Sequence, residues 1–153
     1  SDVYKRQILA LPDVAERVRC YHEHESRAIE QLRRCAYMQG DVVVLDLRNE
    51  KTIYAANRFL VYALFPNATM SLHIMWGREK ANTVFALGRS IFNTTSRVDI
   101  GSLCTRYGGG GHEYAGTCQI GNDWANQRLD EVLARIEQES RTTAPVAPAD
   151  AAV

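Results

Sequence analysis

Read from one end to the other, the chain's apolar positions change their period. Between Ile8 and Gln39, Val14, Val18, Tyr21, Ala28, Leu32 and Cys35 recur three or four residues apart among charged residues, and Glu25 stands where one member is missing. That spacing lies on one side of an α-helix, so it predicts a long helix with a single apolar stripe. Pro12 cannot sit inside such a helix, which makes Asp13 the expected cap. Asp41–Leu47 is a continuous β-branched run, as in a strand covered on both faces. Asn57–Phe65 reads as a helix closed by Pro66. In Thr69–Trp76, Met70, Leu72, Ile74 and Trp76 alternate with Ser71, His73 and Met75, the pattern of a half-buried strand. His73 then reads as a surface strand residue. Gly77-Arg78-Glu79-Lys80 predicts a turn and Asn82–Leu87 the returning strand of a hairpin.

The strand runs out into a polar loop, Gly88–Arg97, and Ser96 or Asp99 can cap the short apolar helix Ile100–Tyr107 that follows. Four glycines end that helix, and Ala115–Ile120 reads as a strand. Asn122 or Asp123 is the expected cap of a last helix, Trp124–Ser140, with Trp124, Leu129, Val132, Leu133 and Ile136 on its apolar face. The element order predicts an α/β class: a small mixed β-sheet flanked by helices and preceded by a long connector helix. It does not fix the order of the strands. The organisation expected is a non-native start at 1–7, a connector helix at 8–40, a binding domain at 41–140 and a disordered Pro/Ala-rich tail at 141–153. No internal repeat is present.

Composition narrows the chemistry. Lys and Arg number 18 and so do Asp and Glu, so any affinity for anions must be local. No apolar run reaches the length of a membrane span and no signal peptide is evident, so a cytoplasmic location and no membrane partner are expected. Cys20, Cys35, Cys104 and Cys118 form no CxxC pair, which argues against zinc and for free thiols in a reducing compartment. His22 and His24 lie two apart on a helix and do not face one way, so they read as solvated. The chain begins without Met, and Asp2–Gln7 is the translation of GAT GTG TAT AAG AGA CAG, the end of a common sequencing transposon adaptor. A natural protein that continues upstream is the expectation; a tag remnant or a plain disordered terminus is the alternative.

Candidate chemistry gathers in two loops. The glycine run Gly108-Gly109-Gly110-Gly111 before His112 carries no Cβ atoms, so a ligand can approach its peptide groups and successive N–H groups can converge into an anion site. His112 adds a ring donor. An isolated glycine run is more often a flexible loop, but this one lies between apolar periodic segments. In the strand-end loop Arg89 offers two parallel donors to a phosphate or carboxylate, with Ser90 and Asn93 as neutral donors.

Gly88-Arg89-Ser90, followed by Tyr107-Gly108-Gly109-Gly110-Gly111-His112 and Ala115-Gly116, resembles the DHHA1 domain of the DHH-superfamily phosphoesterases over roughly Asp41–Ser140. That superfamily includes RecJ-type exonucleases, nanoRNA and pAp phosphatases, cyclic-dinucleotide phosphodiesterases and exopolyphosphatase-like proteins. The resemblance implies a substrate-binding role for Arg89, Ser90, Asn93, Gly109, Gly110, Gly111 and His112. It implies partners that are short single-stranded nucleic acids or nucleotide phosphates, and it leaves a homodimer through the full-length protein open. It also implies that hydrolysis, with two Mn²⁺ ions, belongs to a preceding DHH domain. This sequence contains no Asp-His-His run, so no cofactor and no hydrolysis are expected of the chain alone. A stand-alone RNA-binding module, like the DHHA1 domain of alanyl-tRNA synthetases, is the alternative, although the neutral charge balance speaks against it. A globular α/β domain whose glycine loop merely turns a corner is the third reading.

Overall fold

A computed structural model of the protein describes residues 12–54 and 58–143. The expectations for 1–11, for 144–153 and for Asn57 lie outside those residues, as do the side chains of Asp13, Val14, Val18, Cys20 and Tyr21. Helix α1 (Pro12–Cys35) leads into β1 (Ala36–Gln39) and β2 (Val42–Asp46). Helix α2 (Arg58–Leu64) is followed by the hairpin β3 (Met70–Trp76) and β4 (Thr83–Arg89). Then come α3 (Ile100–Thr105), β5 (Gly110–His112), β6 (Ala115–Ile120) and α4 (Ala125–Thr143). The six strands form one sheet in the order β1-β2-β3-β4-β6-β5. Only β2 and β3 run parallel, joined through α2, so the sheet is mixed as the sequence predicts.

Two-residue alternation sorts the core into layers. Val42 and Val44 of β2, with Leu72, Ile74, Phe85 and Cys118, face α3 and α4, where Leu103, Val132 and Ile136 meet them. Val43 and Leu45 face the other way, toward Leu32 of α1 and Val61 and Tyr62 of α2. Strand β2 is therefore buried on both sides, which accounts for its unbroken apolar run. Gln31 of α1 fastens the 48–54 loop: its amide donates to Glu50 and the Thr52 carbonyl, and its oxygen accepts from the Tyr54 N–H.

Several local expectations are corrected. The first helix does not reach Gln39. It stops at Cys35, and Ala36–Gln39 turns back as a strand in which Ala36 pairs with Leu45 and Gln39 with Val42. Gly40, at φ +61°, permits that tight reversal, and the pairing outweighs the good helical preference of Ala36, Met38 and Gln39. Asp99, not Ser96, caps α3 by accepting from the Ser102 N–H at 3.1 Å. Neither Asn122 nor Asp123 caps α4. A 3₁₀ turn over Asn122–Trp124 intervenes, and the Asn122 side chain bonds Thr83 and the Lys80 carbonyl instead. Helix α4 continues past Ser140 to Thr143, helped by an Arg141–Glu137 pair one turn apart. The 3–4 hairpin turns where expected, with Glu79 and Lys80 both at positive φ.

Candidate functional site

Helices α1 and α2 cover their face of the sheet only over β1, β2 and part of β3. Tyr62 marks the limit of the cover, donating to the Ser71 hydroxyl at 3.0 Å and to the Gly88 carbonyl at 3.2 Å. Beyond it the sheet is open, and a cleft of about 450 Å³ lies over β3, β4 and β6. Register explains its lining. Ser71 stands opposite Gly88, Gly88 opposite Ala115, and Ala115 opposite His112, so one cross-strand row runs from the helix cover to the sheet edge. Small residues in the middle of that row leave the hollow. His73 and Ala86 form the next row on the same face.

Arg89 leaves the end of β4 and is held from three sides. Its guanidinium donates to the Ser96 carbonyl at 2.6 Å and to Glu113 at 3.3 Å, and it lies 4.7 Å from the centre of the Tyr114 ring. Its side chain is 8% exposed, whereas that of Glu113 is 60% exposed. The cation is thus held by a backbone carbonyl, an aromatic ring and a carboxylate that is itself largely exposed to water. His112 stands on the same rim. Its Nδ1 accepts from the Tyr114 N–H at 3.3 Å, which assigns the proton of the neutral ring to Nε2 and leaves that atom as a donor. Burial alone lowers the pKa of His73, so it sits in the cleft as a neutral imidazole at physiological pH.

The other expected site residues fall differently. Ser90 lines the cleft, but its hydroxyl accepts from the Phe92 and Asn93 N–H groups and so shapes the 90–93 turn. Asn93 does not line the cleft; its side chain accepts from the Thr95 hydroxyl at 2.7 Å. The first two amides of the glycine run are not free to converge on an anion. The Gly108 N–H donates to the Thr105 carbonyl and the Gly109 N–H to the Cys104 carbonyl, with Gly108 at φ +78°. Those two bonds form the Schellman pair that closes a helix, so the first glycines stop α3. Gly110 and Gly111 then form the exposed edge strand β5, against Thr117 and Gly116. Glycine is required by close approach at two positions of the run: a Cβ on Gly109 would stand 2.0 Å from the Thr117 carbonyl oxygen, and one on Gly111, at φ +150°, 2.4 Å from that of Ala115. The run therefore aims His112, the residue after it, at the cleft.

The sequence did not single out two cleft residues, His73 and Tyr114, or the Arg89 partner Glu113. His73 belongs to the second face of β3, and the alternation with Ser71 that marks this face is present in the sequence; what is not legible is that, among the described residues, no helix covers it. Tyr114 and Glu113 reach Arg89 only because β5 and β6 fold back beside β4. Cys104 and Cys118 are buried free thiols behind the glycine loop. Hydrogen bonding to Cys104 and burial push the Cys118 thiol up, so it stays protonated. Among the described residues, no three His, Cys, Asp or Glu side chains are grouped to hold a metal ion, so they do not fit a Mn²⁺ pair. No described helix is long and apolar enough to cross a membrane.

No protein-family model matches the chain, and no curated protein does. Among solved structures, the pGpG-specific phosphodiesterase PggH from Vibrio cholerae superposes with a TM-score of 0.82 at 48% sequence identity, over 88% of this chain and 46% of PggH. The chain thus spans just under half of that enzyme's length. An exopolyphosphatase-related protein from Bacteroides fragilis matches with a TM-score of 0.58 at 14% identity, over 78% of this chain and 36% of that one. A DHH domain from a member of a ribosomal-protein family matches with a TM-score of 0.57, also at 14%, over 82% of this chain and 33% of its own. The last two likenesses speak to the fold alone.

Proposed function

This chain is a DHHA1-like domain, and on that premise we propose that it holds the substrate of a DHH-type phosphodiesterase acting on a short oligonucleotide or nucleotide phosphate such as pGpG. The observation that carries the reading is the meeting of Arg89 and His112 on one rim of a cleft whose floor is made of small residues, Ser71, Ala86, Gly88 and Ala115. A guanidinium that is already oriented gives a phosphate two parallel charge-assisted bonds. His112 Nε2–H adds a third donor, and the Tyr114 ring offers a face on which a base can rest. The likeness to PggH supports a guanine dinucleotide as the ligand.

In this reading the chain's own residues bind and orient; they do not cleave. Mn²⁺, which would supply the attacking hydroxide and neutralise the phosphate, belongs to a DHH domain outside this chain. The open sheet face over β4 and β6, bare of helices among the described residues, is where such a domain would close on the ligand.

The test is calorimetric titration of pGpG into the chain and into His112→Ala and Arg89→Lys. Loss of one ligand hydrogen bond worth about 1.4 kcal/mol lowers affinity about tenfold. Each variant is expected to show at least that loss while melting like the parent. Equal affinity in parent and both variants, or no binding by the parent, would overturn the assignment.

A further inference from the structure

A second cleft, of about 390 Å³, lies at the far end of β6, between the end of α3 and the start of α4. Arg106, Tyr107, Trp124 and Arg128 line it. Trp124 is 55% exposed although it is the largest apolar side chain in its neighbourhood. The Arg128 guanidinium lies 5.8 Å from the centre of its ring, so arginine and indole together border the cleft. Arg106 is exposed and has no ion-pair partner among the described residues. Glu131 is already engaged by Arg128 and Arg135, which leaves the positive charge of Arg106 unopposed.

We propose that this second cleft binds a nucleotide, with its base stacked on Trp124 and its phosphate on Arg106. An aromatic platform beside arginines is the minimal arrangement for a single-stranded nucleotide, because every base has a π-face and every link carries a charge. The two clefts sit at opposite ends of β6: Ala115 lines the first and Ile120 the second. Six residues of strand separate them by about 17 Å at about 3.3 Å per residue. The exposed edge strand β5 lies alongside, with no strand beyond it among the described residues. The first cleft lies on the α1/α2 side of the sheet and the second beside α3 and α4, so a strand gripped at Arg89 and His112 reaches the second cleft by rounding the β5 edge. The bound nucleotide is either the continuation of that strand or a free nucleotide. The inference rests on the nucleotide reading of the first cleft only in the former case.

Fluorescence anisotropy with a labelled single strand of about six nucleotides, beside pGpG and AMP, separates these. With the strand as source, the longer oligonucleotide binds the parent more tightly than pGpG does. Trp124→Ala and Arg106→Glu each weaken the longer strand about tenfold and leave pGpG unchanged. With a free nucleotide as source, AMP quenches tryptophan emission even when pGpG is saturating, and Trp124→Phe abolishes the quenching. If both variants bind the longer strand as the parent does and AMP quenches nothing, the second site does not exist. Arg106→Glu, a change at an exposed residue, keeps the test open if Trp124→Ala fails to fold. Failure of the first cleft would show separately, as absent pGpG binding or indifference to His112→Ala.

Discussion

Replacing Gly109 and Gly110 by alanine, one at a time, distinguishes a glycine loop kept for ligand access from one kept for packing. The two neighbours are chemically identical in the sequence, yet their surroundings differ. A Cβ on Gly109 meets the Thr117 carbonyl oxygen at 2.0 Å and Cys118 Cα at 2.7 Å, and both are backbone atoms of β6. Moving away by the ångström or so that is needed breaks the Gly109 N–H bond to Cys104, 2.9 Å long, which closes α3. Overpacking costs about 1–3 kcal/mol and the lost bond about 1 more, so Gly109→Ala is expected to destabilise by about 3 kcal/mol. For a chain of this size, that lowers Tm by about 6–12 °C. A Cβ on Gly110 meets nothing within 4 Å, and its φ is not left-handed, so Gly110→Ala should stay within about 0.5 kcal/mol of the parent. Thermal unfolding followed by far-ultraviolet circular dichroism reads both. Equal melting of the two variants, or a Gly109→Ala Tm within about 2 °C of the parent, would refute the packing account and return the run to a flexible loop.

Two further outcomes follow from the site. Glu113→Gln removes the carboxylate that competes for Arg89 but keeps a side chain of the same size, so pGpG affinity should rise a few-fold at low salt and the gain should shrink as salt is added; a fall in affinity would place Glu113 on the ligand rather than in its way. His73 has a folded-state pKa below its unfolded value because of burial. The unfolded chain therefore binds the extra proton, so the stability due to neutral His73 is complete above about pH 6.5 and is lost as pH falls below it. Urea unfolding at pH 7 and pH 5 should show a smaller loss for His73→Gln than for the parent, and parallel losses would remove His73 from the account.

Some of this was settled by residue order alone. The continuous Val42–Leu45 run specifies a strand buried on both faces, because only a covered strand can leave no polar side. The alternation in β3 and β4 specifies a hairpin, and the closing glycines specify where α3 ends, since a left-handed residue is needed there. Arg89 and His112 were legible as candidates because their chemistry is local: a planar cation on a strand-end loop and an imidazole after a rigid turn. Tertiary structure decided the rest. Ala36–Gln39 became a strand because β2 offered a partner edge, which no local preference encodes. The amides of Gly108 and Gly109 were claimed by the carbonyls of a helix whose end lies within hydrogen-bond reach. Arg89, His73 and Tyr114 face one cleft only because pairing of β4 with β6 brings segments more than twenty residues apart into register, and because α2 stops short of covering them. Periodicity determines which face a side chain takes; what lies across from that face depends on strand order, and strand order is fixed by packing of the whole sheet.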